Sequence, residues 1–178
     1  MNRLKNLLNI FFICCCPTTL LAQFIQVNDT YTAQQLVENV LVNSPCANVT
    51  NFSVSGDPFS TGEQSFGYFN AGTSGFSFAE GVVLCTSRAN RTEGPNNNLI
   101  DEGTTAWLGD ADLDQALNIS DTFNATILEF DFTPLTSTMS FDYIFASEEY
   151  QGTAPCRYSD GFAFLLKEAN TTNPYRNL

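Results

Sequence analysis

The sequence contains no histidine and only 7 lysine and arginine residues, against 19 aspartate and glutamate residues. Without histidine, the chain lacks the usual base of a serine-nucleophile triad and the imidazole ligand of most zinc sites. The formal net charge of −12 argues against nucleic acid and anionic membranes as partners, because both bind through clustered basic side chains. Carboxylates are therefore the only candidates for chemistry.

No apolar run reaches the roughly 20 residues that a membrane-spanning helix needs. The N-terminus instead has the pattern of a secretory signal, with Arg3 and Lys5 before a short apolar run and the small residue Ala22 at its end. We expect residues 1–22 to be removed, although a retained N-terminal anchor helix is the alternative. The mature chain, residues 23–178, is expected to be one secreted or cell-surface domain with no transmembrane segment.

Three cysteines follow the signal, and no Cys-x-x-Cys spacing is present. Exported proteins form disulfides, so two of these cysteines are expected to pair. Cys85 lies within the apolar run of residues 81–86, where a thiol packs as a small hydrophobic group. The sequence therefore predicts a disulfide between Cys46 and Cys156, with Cys85 free.

Hydrophobic periodicity predicts a mainly β fold. Residues 32–42 have helical spacing behind Thr32, which predicts one short N-terminal amphipathic helix. Residues 126–132 and 139–145 both alternate with a period of two, which predicts an antiparallel hairpin whose aromatic side chains lie in the core.

The other predicted strands are residues 48–54, residues 81–86, residues 161–166 and short strands within the aromatic stretch of residues 60–80. One helix and about seven strands separated by turn signals predict an antiparallel β-sandwich of the jelly-roll or lectin-like kind. The last residues show no turn, cap or terminal strand in their pattern, so we expect a domain truncated at its C-terminus.

A candidate metal site is formed by acidic residues near strand ends. Glu148 and Glu149 follow the predicted hairpin, and Asp160 precedes the last strand. Together with Asp110 and Asp112 they could gather at one rim of a sandwich and bind Ca²⁺, which takes six to eight oxygen ligands. Three alternatives stay open for these carboxylates: structural hydrogen bonding, solvated surface charge and acid–base catalysis in a glycosidase.

The segment from Asp110 to Asp114 has the one-residue spacing of an EF-hand loop. Gln115, however, stands where that loop needs glycine. A short helix that starts at these acidic residues explains the same pattern, because carboxylates are favoured at helix N-termini.

The sequence resembles the choice-of-anchor L domain of Bacteroidetes exported surface proteins from about Val27 to its end. Its most specific motif is Phe-Ala-Ser-Glu-Glu-Tyr after an aromatic strand. The matching segments are Cys46, residues 81–90, residues 94–96, residues 109–113, residues 127–132, residues 140–150 and residues 160–164. The resemblance implies a module of large exported proteins, often delivered by type IX secretion, and implies no known reaction.

A shorter similarity connects residues 159–165 with the strand opening of L-type lectins, where the aspartate belongs to a sugar and calcium site. An ordinary Asp-Gly turn is the alternative. Taken together, these features favour a non-catalytic extracellular binding or adhesion module with a glycan or protein ligand. A secreted glycan-active hydrolase that uses the carboxylates, or a structural spacer that binds nothing, are the alternatives.

Overall fold

A computed structural model describes residues 24–178 except Cys46 and Gln151. The predicted signal peptide lies outside the described residues. Antiparallel strands dominate and helices are few and short. In chain order the elements are β1 (Gln26–Asn28), α1 (Ala33–Leu36), a π-helical turn (Val37–Leu41), β2 (Ala47–Ser55), β3 (Phe66–Asn70), β4 (Glu80–Leu84), a 3₁₀ turn (Ala89–Glu93), α2 (Ala111–Leu117), β5 (Ile127–Pro134), a 3₁₀ turn (Ala154–Cys156), β6 (Leu165–Leu166) and β7 (Arg176–Asn177).

The first sheet has the order β1-β3-β4 and is antiparallel throughout. Its central strand β3 is the most buried strand, with Phe66 and Phe69 8% and 7% exposed. Gly67 of β3 lies directly against β1, where a Cβ atom would come 2.7 Å from the carbonyl oxygen of Asn28. A side chain at this position would therefore push the two strands apart.

The second sheet pairs β2 with β5, from Ala47 opposite Pro134 to Ser55 opposite Ile127. The predicted strands at residues 48–54 and 126–132 are thus confirmed, but the predicted hairpin is wrong. Residues 139–145 form no strand, and β5 obtains its hydrogen bonds from β2 instead. Alternation determines which side chains share a face, but it does not identify the strand that supplies the hydrogen bonds.

Residues 32–42 do not form one regular helix. Thr32 caps α1 with a capping box, in which its hydroxyl accepts from the Gln35 N–H at 3.2 Å. After four residues the backbone widens into the π-helical turn, closed by the Val42 N–H and the Val37 carbonyl at 2.8 Å. The adjacent side chains of Leu36 and Val37 are both fully buried.

The C-terminal residues also differ from expectation. Only Leu165 and Leu166 of the predicted strand at residues 161–166 have strand pairing, and their partner is β7, Arg176–Asn177. The sequence pattern predicted no terminal strand, so this expectation was wrong. Two residue pairs suffice to form this ladder, and so short a strand leaves no periodic signal in the sequence.

Two hydroxyl groups, one fully buried and one half-buried, and the backbone of Cys85 connect the two larger sheets. Ser65, which precedes β3, is fully buried, and its carbonyl accepts from the Cys85 N–H at 2.8 Å. The Oγ1 atom of Thr126, next to β5, lies 2.7 Å from Ser65 Oγ and 2.6 Å from the Cys85 carbonyl oxygen. Because a hydroxyl has a single proton, Thr126 donates to the carbonyl and Ser65 supplies the proton between the two hydroxyls.

Replacing Thr126 with Val should lower the free energy of unfolding by about 1–3 kcal/mol, because Ser65 Oγ and the Cys85 carbonyl both lose a partner in a buried place. Urea unfolding followed by the fluorescence of Trp107, the single tryptophan, measures the loss. Thr126→Ser is the control, since it keeps the hydroxyl and should lose less. Destabilisation by Thr126→Ser but not by Thr126→Val, which keeps the methyl group, would show that packing of the methyl group, rather than hydrogen bonding, holds the junction.

Candidate functional site

The five carboxylates of the predicted calcium site do not form one cluster. Across the residues that the structure describes, no three Asp, Glu or Cys side chains lie close enough together to hold a metal ion. Asp110 instead caps α2, accepting the Leu113 N–H at 2.7 Å, and Asp112 lies in the first turn of that helix. These two acidic residues therefore act at a helix N-terminus, where the backbone dipole favours negative charge.

Glu148 points into the domain. Its Oε2 atom accepts the backbone N–H of Ile100 at 3.1 Å, while its Oε1 atom is buried with no hydrogen-bond partner among the described residues. Cys85 lies close by and forms no disulfide within the described part of the chain. Burial, and secondly the charge of Glu148, raise the pKa of the Cys85 thiol to about 12.

Glu149 and Asp160 form a second acidic site. Burial and then the charge of Asp160 raise the pKa of Glu149, and burial raises the pKa of Asp160. Asp160 keeps much of its surface in contact with solvent. Protein atoms around its carboxylate nevertheless remove enough water to disfavour the charged form. The charge of Asp160 thus reaches Glu149, which brings two of the five predicted residues into one site.

A cluster of five rings, four exposed and that of Phe164 half-buried, lies on two chain segments, and we call it the aromatic face: Phe141, Tyr143, Phe145, Phe162 and Phe164. The ring centroids of Phe141 and Phe164 are 3.9 Å apart, and those of Tyr143 and Phe162 are 5.5 Å apart. Tyr143 and Phe145 remain 59% and 52% exposed. The sequence predicted that the rings of residues 139–145 lie in the core, and this prediction was wrong.

The aromatic face has a regular geometry. Phe141 contacts Phe164, whereas Tyr143 and Phe145 both contact Phe162, so the two segments run in opposite directions. Every second residue of one segment reaches the other, which is the side-chain spacing of an extended backbone. Contiguous exposed apolar surfaces of this kind are typical of interaction sites, whereas single exposed apolar residues are common on any protein.

A charged cluster that sequence reasoning did not identify surrounds Arg88. Its Nη1 atom lies 2.6 Å from Glu102 Oε1, and its guanidinium lies 4.7 Å from the centre of the Phe59 ring. The Nε atom is 3.0 Å from Glu63 Oε2, an ionic contact without hydrogen-bond alignment. A hydrogen bond from Thr61 is the first of several causes that lower the pKa of Glu63. The cluster holds loops together, and no spacing in the sequence indicates it.

A shallow cleft of about 360 Å³ lies beside Trp107. The indole N–H of Trp107 donates to the Ala125 carbonyl at 2.9 Å, and Leu108 at the cleft is 71% exposed. Asp57 is the only carboxylate among the lining residues. Glycoside hydrolysis uses two carboxylates, so the lining of this cleft does not provide the pair.

The fold and these surfaces define a small, mainly antiparallel β domain with an exposed aromatic face. Residues 25–178 match the choice-of-anchor L domain family, and the chain belongs to that family. The family consists of extracellular, surface-associated modules of a non-catalytic type. No curated protein and no solved structure matches the chain at a significant level. None of the described helices is long and apolar enough to cross a membrane.

The disulfide between Cys46 and Cys156 stays a prediction, because Cys46 and the side chain of Cys156 lie outside the described residues. The prediction that Cys85 is a free thiol can be tested directly. Raising its pKa from about 9 to about 12 lowers the thiolate fraction at pH 8 by about a thousandfold. We expect alkylation by iodoacetamide at pH 8 to be at least about a hundredfold slower in the native protein than in urea.

Peptide mapping after alkylation identifies the cysteine that reacted. Because the folded-state pKa of Cys85 is raised, its neutral thiol favours folding at neutral pH, and this contribution declines as pH rises from about 9 towards 12. Rapid native alkylation of Cys85, or a disulfide that includes it, would contradict this assignment.

Proposed function

We propose that the chain is a non-catalytic binding or adhesion module of an exported protein, and that it holds a glycan or protein ligand at the aromatic face. Exposure of the rings is the observation that carries the proposal. Tyr143, Phe145 and Phe141 keep 59%, 52% and 39% of their surface exposed, although they contact the rings of a neighbouring segment. An isolated domain gains nothing from so much clustered apolar surface, whereas a bound ligand would remove it from water.

The chemistry of the face supports a ligand without strong negative charge. Aromatic rings pack on sugar rings and on apolar side chains, and a pair of aromatic rings adds about 0.5–1.5 kcal/mol beyond burial. Glu149 and Asp160 add hydrogen-bond acceptors and negative charge.

We further propose that the sheets assemble as a jelly-roll β-sandwich and that export uses the signal peptide and the type IX route.

A glycan-active hydrolase is the second candidate function, and one observation favours it. Glu149 and Asp160 both have raised pKa values, as a catalytic acid requires. The paired roles of a glycosidase need one carboxyl protonated and the other ionised, whereas here both are shifted in the same direction. Turnover of a polysaccharide that is abolished by Glu149→Gln or Glu148→Gln would establish the hydrolase and overturn the binding module.

The double variant Tyr143→Ala, Phe145→Ala should lose most ligand binding, at least about tenfold in affinity, because both rings are exposed in the free domain and buried only by a ligand. A glycan array and a panel of immobilised extracellular proteins identify the ligand, and calorimetry measures affinity. Leu108→Ala is the matched control, since Leu108 is exposed and lies at the Trp107 cleft. Unchanged binding by the double variant would place the ligand elsewhere, and blank panels would favour a spacer.

We also propose that Ca²⁺ binds at Glu149 and Asp160. Each carboxylate is partly desolvated and they repel each other, so a cation between them would stabilise the folded state. At a hundredfold excess over Kd, binding adds about 2.7 kcal/mol, which raises Tm by about 5–10 °C for a domain of this size. Thermal melts in EDTA, millimolar Ca²⁺ and NaCl of matched ionic strength measure the effect.

Glu149→Gln and Asp160→Asn should remove the calcium-dependent rise, while Asp112→Asn should keep it, because Asp112 lies in α2. A rise of equal size in NaCl would identify general screening instead of coordination. Equal Tm values in all three buffers would remove the metal site.

A further inference from the structure

The backbone of residues 139–146 is exposed and unpaired. Within the described chain, none of their N–H or C=O groups forms a backbone hydrogen bond, and all eight residues are exposed. Only buried backbone groups must be paired within the chain, and these exposed groups stay available to a partner. Water satisfies these groups in the free domain, and another extended chain could replace that water.

The same residues have the composition and spacing of a β-strand. Met139, Phe141, Tyr143 and Phe145 alternate with Ser140, Asp142 and Ile144. Because the rings at 141, 143 and 145 all meet the segment that holds Phe162 and Phe164, they lie on one side of an extended backbone. The rings thus form one face of the segment, while its unpaired backbone groups offer a template for pairing with a further strand.

We propose that residues 139–146 bind an extended polypeptide of another protein by strand addition, with basic side chains on the bound peptide. This inference rests on the proposed binding function and names its ligand class. Backbone hydrogen bonds to the unpaired groups would supply affinity, and the exposed rings would receive the alternate side chains of the peptide.

Two observations favour a polypeptide over a glycan and over a second copy of this chain. A glycan needs the rings and does not need a row of regularly spaced backbone donors and acceptors, whereas a strand uses both. The site holds carboxylates that form no ion pair among the described residues: Asp142 lies within the segment, and Glu149 and Asp160 lie near its end. A second copy brings the same acidic groups and a net charge of −12, so a basic peptide is the complementary partner.

Amide hydrogen exchange resolved by residue in NMR spectra tests the site in the free protein. The amides of residues 139–146 should exchange at rates close to those of an unstructured peptide, while those of β3 should be strongly protected. Protection of residues 139–146 in the free protein would mean that they are already paired, and would overturn the proposal.

The binding test uses an array of nine-residue peptides with Lys or Arg at odd positions and Val, Ile, Phe or Tyr at even positions. We expect saturable binding of a subset, with new protection at every second amide of residues 139–146. N-methylation of alternate peptide residues should weaken the selected peptides at least about tenfold, because it removes backbone donors and leaves the side chains in place. A matched array with Glu at the odd positions should not bind.

Ile144→Pro removes one backbone donor from the segment and should weaken peptide binding by a similar factor. Ser137→Pro lies outside the segment and serves as the control for introducing proline. Binding that survives both N-methylation and Ile144→Pro would show that side chains alone hold the peptide, and would overturn strand addition.

The two proposals can fail separately. Glycan binding that depends on Tyr143 and Phe145, together with an array on which no peptide binds, would overturn strand addition and leave the binding module in place. Failure of peptides, glycans and the extracellular protein panel alike would overturn both.

Discussion

The fold depends on a buried hydrogen-bonded junction between residues that are far apart in the chain. Ser65, Cys85 and Thr126 lie at the ends of three strands, and their hydroxyl and backbone groups bond each other where the two larger sheets meet. Gly56 packs on the same place, since a Cβ atom there would come 2.0 Å from Ser65 Oγ. Buried polar groups are costly when unpaired, so this junction favours one relative arrangement of the strands over others.

The acidic residues differ in whether a basic side chain compensates their negative charge. Arg88 contacts Glu63 and Glu102, so those carboxylates lie beside a cation. Glu149 and Asp160 have each other for a neighbour, and burial makes their charges less favourable still. In a chain with few basic residues, uncompensated acidic groups near an exposed apolar surface are the feature through which a cation or a basic ligand would stabilise the domain.

The aromatic face and the uncompensated carboxylates lie close together because the same two chain segments carry both. The residues that follow Phe145 lead to Glu149, and Asp160 precedes Phe162 in the opposing segment. Apolar contact area and negative charge therefore meet at one end of the face. This combination is the physical basis of the binding role that we propose for this domain, and binding of this kind requires no catalytic group.

Much could be predicted from the sequence alone: the mainly β character, the strands around Val49, Val82 and Phe130, the helix that starts at Asp110, and the family itself. These features depend on local alternation, capping and short motifs, which neighbouring residues determine.

Other features were decided only by the tertiary structure. The alternation of residues 139–145 fixed which side chains share a face, but contacts from the rest of the chain decided that this face is exposed and that β5 pairs with β2. Adjacent glutamates are equivalent in the sequence, yet the fold turns Glu148 towards Ile100 and Cys85 and places Glu149 near Asp160. The burial and the electrostatic environment of a side chain depend on residues that are distant in the chain, so no local pattern could distinguish the two glutamates.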